Sequence, residues 1–378
     1  MHYFSHHLNR EVKEVYWHSF LSNLALSLVF IFEPIYLYSL GYSLQGIMWY
    51  YLMIYAWYCG LIFFGARFAS RFGYKHAILV SNIFYVAYWI TLFSVRAHPA
   101  LFFVAPMLFA LQKSWFWPAY DADVAMGQAK SQRGREVGVL LSIVQVAFVA
   151  GPVLGGFVSE QFGFLVLFVL ASILMVASVY PLFRSREVYS RHDFRFRNFW
   201  QMFRKYPRDF FGYFGYAEDL MVMSLWPVYM FIVIPDFLGV GAVSTVAAVI
   251  GTVLMLYVGR LTDRMPKHAL IEVSSIFYAA TWILRFAARG LAPVLTFDAL
   301  GKAGKDILFV PMNSLVYERA GSGKADHAIA YSVFFEFSLS VAKVLTALAA
   351  IAILAAGGSI FWVFAMTGAL VLFYNFLR

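Results

Sequence analysis

Residues 163–184 read GFLVLFVLASILMVASVYPLFR, and no charge interrupts them until Arg184, the last. As a helix rising 1.5 Å per residue such a run is about 33 Å long, enough to cross the hydrocarbon core of a bilayer. It lacks period-two alternation, so a helix rather than a barrel strand is expected to satisfy its backbone in lipid. The same pattern recurs along the chain. Bounded by charge, glycine or proline, twelve apolar stretches cover residues 16–40, 44–66, 77–95, 100–124, 136–160, 163–184, 209–234, 240–259, 268–288, 291–317, 327–355 and 358–377. The first is long, follows charged residues and has no small-residue cleavage signature, which argues against a removable signal peptide.

Composition points the same way. Of 378 residues, 62% are hydrophobic, 20% aromatic and only 13% charged, with a mean hydropathy of +0.71. A soluble domain carries roughly 25% charged residues. Both a water-soluble enzyme and a disordered chain are excluded. A single cysteine, Cys59, leaves no internal disulfide framework and no thiolate-based metal centre. An integral all-α membrane protein of twelve transmembrane helices is expected. With a cytoplasmic amino terminus, 22 of the 29 Lys and Arg fall in inner segments, eight of them between Arg184 and Arg208. The outer ends keep Arg96, Arg285 and Arg289, while Lys113, Lys302, Lys305 and Lys343 lie inside spans. The positive-inside rule then predicts that both termini are cytoplasmic. The net charge of +9 reads as orientation and anionic-lipid contact, with no nucleic acid as partner. Short loops suggest the cytoplasmic (inner) membrane of a prokaryote, and a monomer is expected.

The organisation is six spans, a linker and six spans: residues 1–184, 185–208 and 209–378. The linker alternates Arg with Phe and Trp and reads as a basic amphipathic helix, with Phe196, Phe199, Trp200 and Phe203 expected to enter the inner leaflet. The two halves carry weak internal matches near one offset. Glu33-Pro34-Ile35-Tyr36-Leu37 aligns with Trp226-Pro227-Val228-Tyr229-Met230, and residues 66–76 align with 259–268. Ala110-Leu111-Gln112-Lys113 aligns with Ala299-Leu300-Gly301-Lys302, and Pro118 with Pro311. A duplicated half implies two pseudo-symmetric six-helix bundles with a cavity between them.

The loop GRLTDRMPK at 259–267 resembles the G-x-L-x-D-R-x-G-R/K signature between helices 2 and 3 of each half in the major facilitator superfamily. ARFASRFGYK at 66–75 is a degraded copy, with Ser70 in place of Asp and Ala66 in place of the first Gly, and Pro266 replaces the second Gly of the later copy. Residues 147–156, AFVAGPVLGG, are similar to the GxxxGPxxGG pattern of that superfamily's proton antiporters, with Ala147 for the first Gly. The resemblance implies a transporter in which helices 1, 4, 7 and 10 line a central cavity. Arg71, Gly73, Lys75, Gly259, Asp263, Arg264 and Lys267 are then expected to latch the inner face through helix ends and carboxylates. Gly151, Pro152, Gly155 and Gly156 are expected to form a closely packed, bendable seam.

Ionisable groups inside a membrane are costly and mark functional sites. Lys113, Trp117 and Asp121 are spaced i, i+4, i+8 on one helical face, and Asp298, Lys302 and Asp306 repeat that spacing. Glu33 and Tyr36 join them from span 1, Glu218, Asp219, Trp226 and Tyr229 from span 7, and Glu336 and Lys343 from span 11. Together these residues are the expected substrate and proton cavity: carboxylates that exchange protons, lysines that hold an anionic group, aromatics that cover an apolar or cationic one. The leading expectation is proton-coupled antiport exporting a small amphipathic or charged compound, without enzymatic activity or cofactor and driven by a proton gradient. Two alternatives stand beside it: uptake or facilitated diffusion of a zwitterionic or anionic metabolite or a lysolipid, and a receptor or scaffold that does not transport. GSGK at 321–324 lacks the Ser or Thr and the preceding strand of a phosphate loop, and no HExxH or GxSxG motif occurs, so no metal or nucleophile is expected.

Overall fold

The computed structural model describes residues 10–127, 133–182, 194–262, 265–323 and 325–377. Their regular structure is helical throughout. The first half comprises α1 (Arg10–Val29), α2 (Phe32–Ser39), α3 (Leu44–Phe72), α4 (Tyr74–Ser94), α5 (Leu101–Gly127) and α6 (Arg133–Leu182). After the linker helix α7 (Phe196–Lys205) come α8 (Pro207–Gly212), α9 (Glu218–Met223), α10 (Leu225–Val233), α11 (Phe237–Thr262), α12 (Lys267–Ile283), α13 (Leu291–Gly321), α14 (Ala325–Ala355) and α15 (Ile360–Val371). Tight 3-10 turns bridge α8 to α9 and extend α12 and α15.

Eight described segments are long and apolar enough to cross a membrane, and Ile360–Phe376 is a shorter apolar one. One of the eight, Ile143–Pro181, contains two spans, because Gly163 takes φ +78° and breaks α6 there. Only glycine adopts that conformation without strain. α5 and α13 fall below the same apolarity because Gln112 and Lys113 sit in mid-helix in one, and Asp298, Lys302, Lys305 and Asp306 in the other. Both helices also contain a proline well inside, Pro118 and Pro311. Polar residues in mid-span must turn inward, and here they do. The outward side chains are apolar, among them Phe64, Ile83, Phe103, Val169, Ile173, Val253 and Leu256. They form a surface suited to lipid, which removes any need to hide them from water.

Within the first half, α1 packs on α6, and α5 lies between α3 and α4. His18 Nδ1 meets the Ser178 carbonyl at 2.8 Å, tying α1 to the far end of α6. The halves meet where α6 packs on α11 and where α14 packs on α3, and small residues shape the first of these. A Cβ on Gly241 would strike the Pro152 carbonyl and one on Gly156 the Phe237 carbonyl, whereas Gly151 and Gly155, grouped with them in the sequence, pack within the first half against Ser27 and the Leu28 carbonyl of α1. Thr245 Oγ1 donates to the Val149 carbonyl at 2.8 Å and accepts from Val153 N at 3.1 Å, while Gln145 Nε2 donates to Thr252 Oγ1 at 2.6 Å. Gly156→Leu should therefore push α11 away and lower stability by about 1–3 kcal/mol, the usual overpacking cost. A melting temperature equal to that of the wild type would show that the seam has slack.

α7 departs from its sequence reading at two of four positions. Phe199 is buried and stacks edge-on against Phe63 of α3 at 5.0 Å and Phe337 of α14 at 5.4 Å, and Phe203 meets Phe334 at 5.0 Å. Phe196 and Trp200 alone of the four are exposed. The helix thus sets its apolar side as a wedge against both halves, meeting Phe63 of the first and Phe334 and Phe337 of the second. Ser70, which stands where the family motif has Asp, accepts a hydrogen bond from Phe194 N at 3.2 Å and so anchors the start of this segment.

Candidate functional site

Between the two sets of helices lies a cavity of about 80 Å³. α5 supplies Lys113, Trp117 and Asp121, α3 supplies Tyr55, and α14 supplies Phe335, Glu336 and Lys343. Tyr216 and Asp219 enter from the segment around α9, and Phe309, Asn313 and Tyr317 from α13. The i, i+4, i+8 stripe of α5 faces this space as its spacing requires. On α13 the residues that do so are 309, 313 and 317, further along the helix than the charged stripe of the sequence.

The reason is visible at the other end of α13. Lys302 Nζ is held by Asp298 Oδ2 at 2.6 Å and by the carbonyl and hydroxyl of Ser244 at 2.7 and 2.8 Å. Asp298 Oδ1 accepts from Trp226 Nε1 at 2.9 Å. These groups tie α10, α11 and α13 together and do not line the cavity. Tyr229 donates to the Ala288 carbonyl at 2.7 Å, and Asp306 is half-buried beside Lys305. Glu33, 4% exposed, accepts from Tyr88 at 3.1 Å and from Trp89 Nε1 at 2.8 Å, outside the cavity wall. Tyr36 packs among Phe93, Phe164 and Phe168 and donates to the Phe93 carbonyl at 2.7 Å.

At the cavity itself the charges form a cluster. Asp219 bridges two ammonium groups, Lys305 at 2.5 Å through Oδ1 and Lys343 at 2.7 Å through Oδ2. Lys305 also faces Glu218 at 3.5 Å, and Glu218 accepts from Tyr278 at 2.7 Å. Lys343 reaches across the halves to the Tyr55 hydroxyl at 3.2 Å. Charge-assisted contacts of this kind, away from water, are the strong ones. Glu336 is different: Tyr58 of the opposite half donates to it at 2.9 Å, and among the described residues no basic nitrogen lies within 4 Å. Asp121, 4% exposed, also lacks a basic partner within that range, and its Oδ2 has no hydrogen-bond partner.

Several of these groups escape sequence reasoning. Lys305 stands out as a span lysine but not as the partner of Asp219. Tyr55, Tyr58 and Tyr278 carry no distinguishing signal in a chain with 24 tyrosines. Arg285, expected at an outer end, is 2% exposed, with its guanidinium 3.9 Å from the Trp226 ring and 3.4 Å from the Trp282 ring. Two flanking tryptophans on neighbouring helices are a cation–π enclosure, legible only once the helices are packed.

Of the expected latch, Gly73 takes φ +103° in the turn between α3 and α4, Arg71 is exposed, and Lys75 is half-buried. Lys267 pairs with Glu318 at 3.1 Å on an exposed surface, worth at most about 1 kcal/mol. Gly259 continues α11, and Asp263 and Arg264 lie outside the described residues.

The family model of the Major Facilitator Superfamily matches residues 16–342. The chain is 26% identical over 251 residues to Multidrug resistance protein 2 of Bacillus subtilis, covering 62% of this chain and 61% of that one. It is 30% identical over 175 residues to a Na(+), Li(+), K(+)/H(+) antiporter of Planococcus maritimus, covering 44% and 41%. It thus spans less than two thirds of the length of either curated relative. A crystal structure of the nucleoside transporter NupG superposes with a TM-score of 0.72 at 11% identity, over 98% of this chain and 99% of that one. That likeness concerns the fold. With a family match over most of its length and an all-helical bundle around a charged intramembrane cavity, this multi-pass membrane protein belongs to the Major Facilitator Superfamily.

Proposed function

We propose that the chain is a proton-coupled antiporter of the cytoplasmic membrane, acting as a monomer with both termini in the cytoplasm and exporting a small charged amphipathic compound. One observation carries the reading. Asp121 and Glu336, one from each half, face the same cavity without a basic nitrogen within 4 Å among the described residues. A carboxylate in that setting takes either a proton or a cationic group of the substrate, and the competition between them is exchange. The curated relatives named as a multidrug resistance protein and a cation/proton antiporter are consistent with it.

Exchange further requires that residues 1–184 rock against 209–378, so that the cavity opens to one face at a time. The α6–α11 seam, the α3–α14 contact and the α7 wedge lie between these units, and rocking separates one or more of them. In proteoliposomes with an imposed pH gradient, Glu336→Gln should abolish gradient-driven substrate flux while leaving counterflow at equal pH measurable. Gradient-driven flux that survives both Glu336→Gln and Asp121→Asn would remove the proposed coupling.

A further inference from the structure

Lys113 lies on the cavity wall with no carboxylate within 4 Å among the described residues. Its ammonium is instead 5.1 Å from the Phe109 ring centroid, 5.6 Å from that of Tyr55 and 5.9 Å from that of Trp117. Aromatic faces stabilise a cation but accept none of its three hydrogen bonds in full, so its donors stay open to a ligand. Eight residues along the same helix, Asp121 carries the buried Oδ2 that nothing in the protein satisfies. An unpaired charge of either sign is expensive at this depth. The two do not pair with each other: eight residues of helix separate their backbones by about 12 Å. The other ammonium groups nearby are committed, Lys343 and Lys305 both to Asp219.

We infer that the cavity selects a zwitterion: an anionic group at Lys113, an N–H-bearing cationic group at Asp121, and between them an unsaturated body against Trp117. This rests on the transport reading above and names its substrate class. The selection works by exclusion as well as attraction. A purely cationic ligand leaves Lys113 only the Glu336 carboxylate of the same cavity, more than 4 Å away, and a purely anionic one leaves Asp121 Oδ2 unsatisfied. Only a ligand bearing both charges satisfies both residues, and specificity is the difference between those free energies. The helix rise of about 12 Å between the two residues sets the length of the probe, a para-substituted benzene with a two- or three-carbon arm at each end and a charge separation of about 10 Å.

The test is equilibrium binding to the purified full-length protein by isothermal titration calorimetry, at one pH and without a gradient. Three probes share one body: phenylpropanoate, phenylethylammonium, and a phenylpropanoate bearing an ammonioethyl group para to the chain. On the wild type the zwitterion should bind at least about tenfold more tightly than either singly charged probe, the size expected of one added charge-assisted hydrogen bond. In Lys113→Met its advantage over phenylethylammonium should vanish, and in Asp121→Asn its advantage over phenylpropanoate. Equal affinity for the zwitterion and a singly charged probe overturns the inference, as does failure of the zwitterion to bind. The wild-type series decides this even if a variant does not fold. Because no gradient is present, a zwitterion preference without proton-driven flux would leave this inference standing and remove the coupling, and the converse result would do the opposite.

Discussion

In an Asp219→Asn variant the protein should lose about 3–5 kcal/mol of stability, the cost of stripping one partner from a buried ion pair. Asp219 neutralises Lys305 and Lys343 at once, at 2.5 and 2.7 Å. Without it the two ammonium groups do not suffer equally. Lys305 keeps Glu218 at 3.5 Å, whereas Lys343 keeps only the hydroxyl of Tyr55 among its hydrogen-bond partners. The bulk of the loss should therefore belong to Lys343. A second substitution, Lys343→Met, should restore most of the melting temperature in the Asp219→Asn background, and Lys305→Met should restore less. Additive losses from Asp219→Asn and Lys343→Met in a double-mutant cycle would mean that the pair is not coupled and that the cluster is held by something else.

The second large effect is kinetic. When the halves rock apart at the α6–α11 seam, tying it should block most of the flux. Val153 and Thr245 are joined across it by a hydrogen bond of 3.1 Å between the backbone of one and the hydroxyl of the other. In a Cys59→Ser background, which removes the sole native thiol, Val153→Cys with Thr245→Cys joined by a short bifunctional thiol reagent should lower transport by at least about tenfold. Substrate binding should persist in the closed form, and cleavage of the link should restore the rate. Full transport in the linked protein would exclude opening at this seam.

The membrane class and the helices can be read from the chain because a bilayer enforces one rule, about 20 apolar residues per crossing, and almost every stretch obeys it. Gly163 can also be placed, since charge-free sequence on both sides of it exceeds one crossing. The face of α5 is legible for a similar reason: Lys113, Trp117 and Asp121 at four-residue intervals cannot all avoid one side of a helix. On α13 the same spacing identifies a charged stripe but not its surroundings. Spacing says that Asp298 and Lys302 share a face; it says nothing of Ser244, which arrives from α11 and closes on Lys302. Arg285 illustrates the other limit. Position near a span end suggests exposure, but the end of α12 is roofed by Trp226 and Trp282, and only packing reveals it. Tyr58 and Tyr55, which hold Glu336 and Lys343 from the opposite half, are indistinguishable in sequence from the many tyrosines that merely fill space.

The break at Gly163 matters first at the ribosome. Without it, the fifty residues of α6 would leave the translocon as a rod about 75 Å long, more than twice the depth of the lipid. With it, the nascent chain doubles back just after Glu160 and presents two arms, each of about one crossing. The turn carries one carboxylate, Glu160, which accepts from Phe237 N at 3.1 Å at the start of α11. Biogenesis of the first half and docking of the second thus meet at one turn.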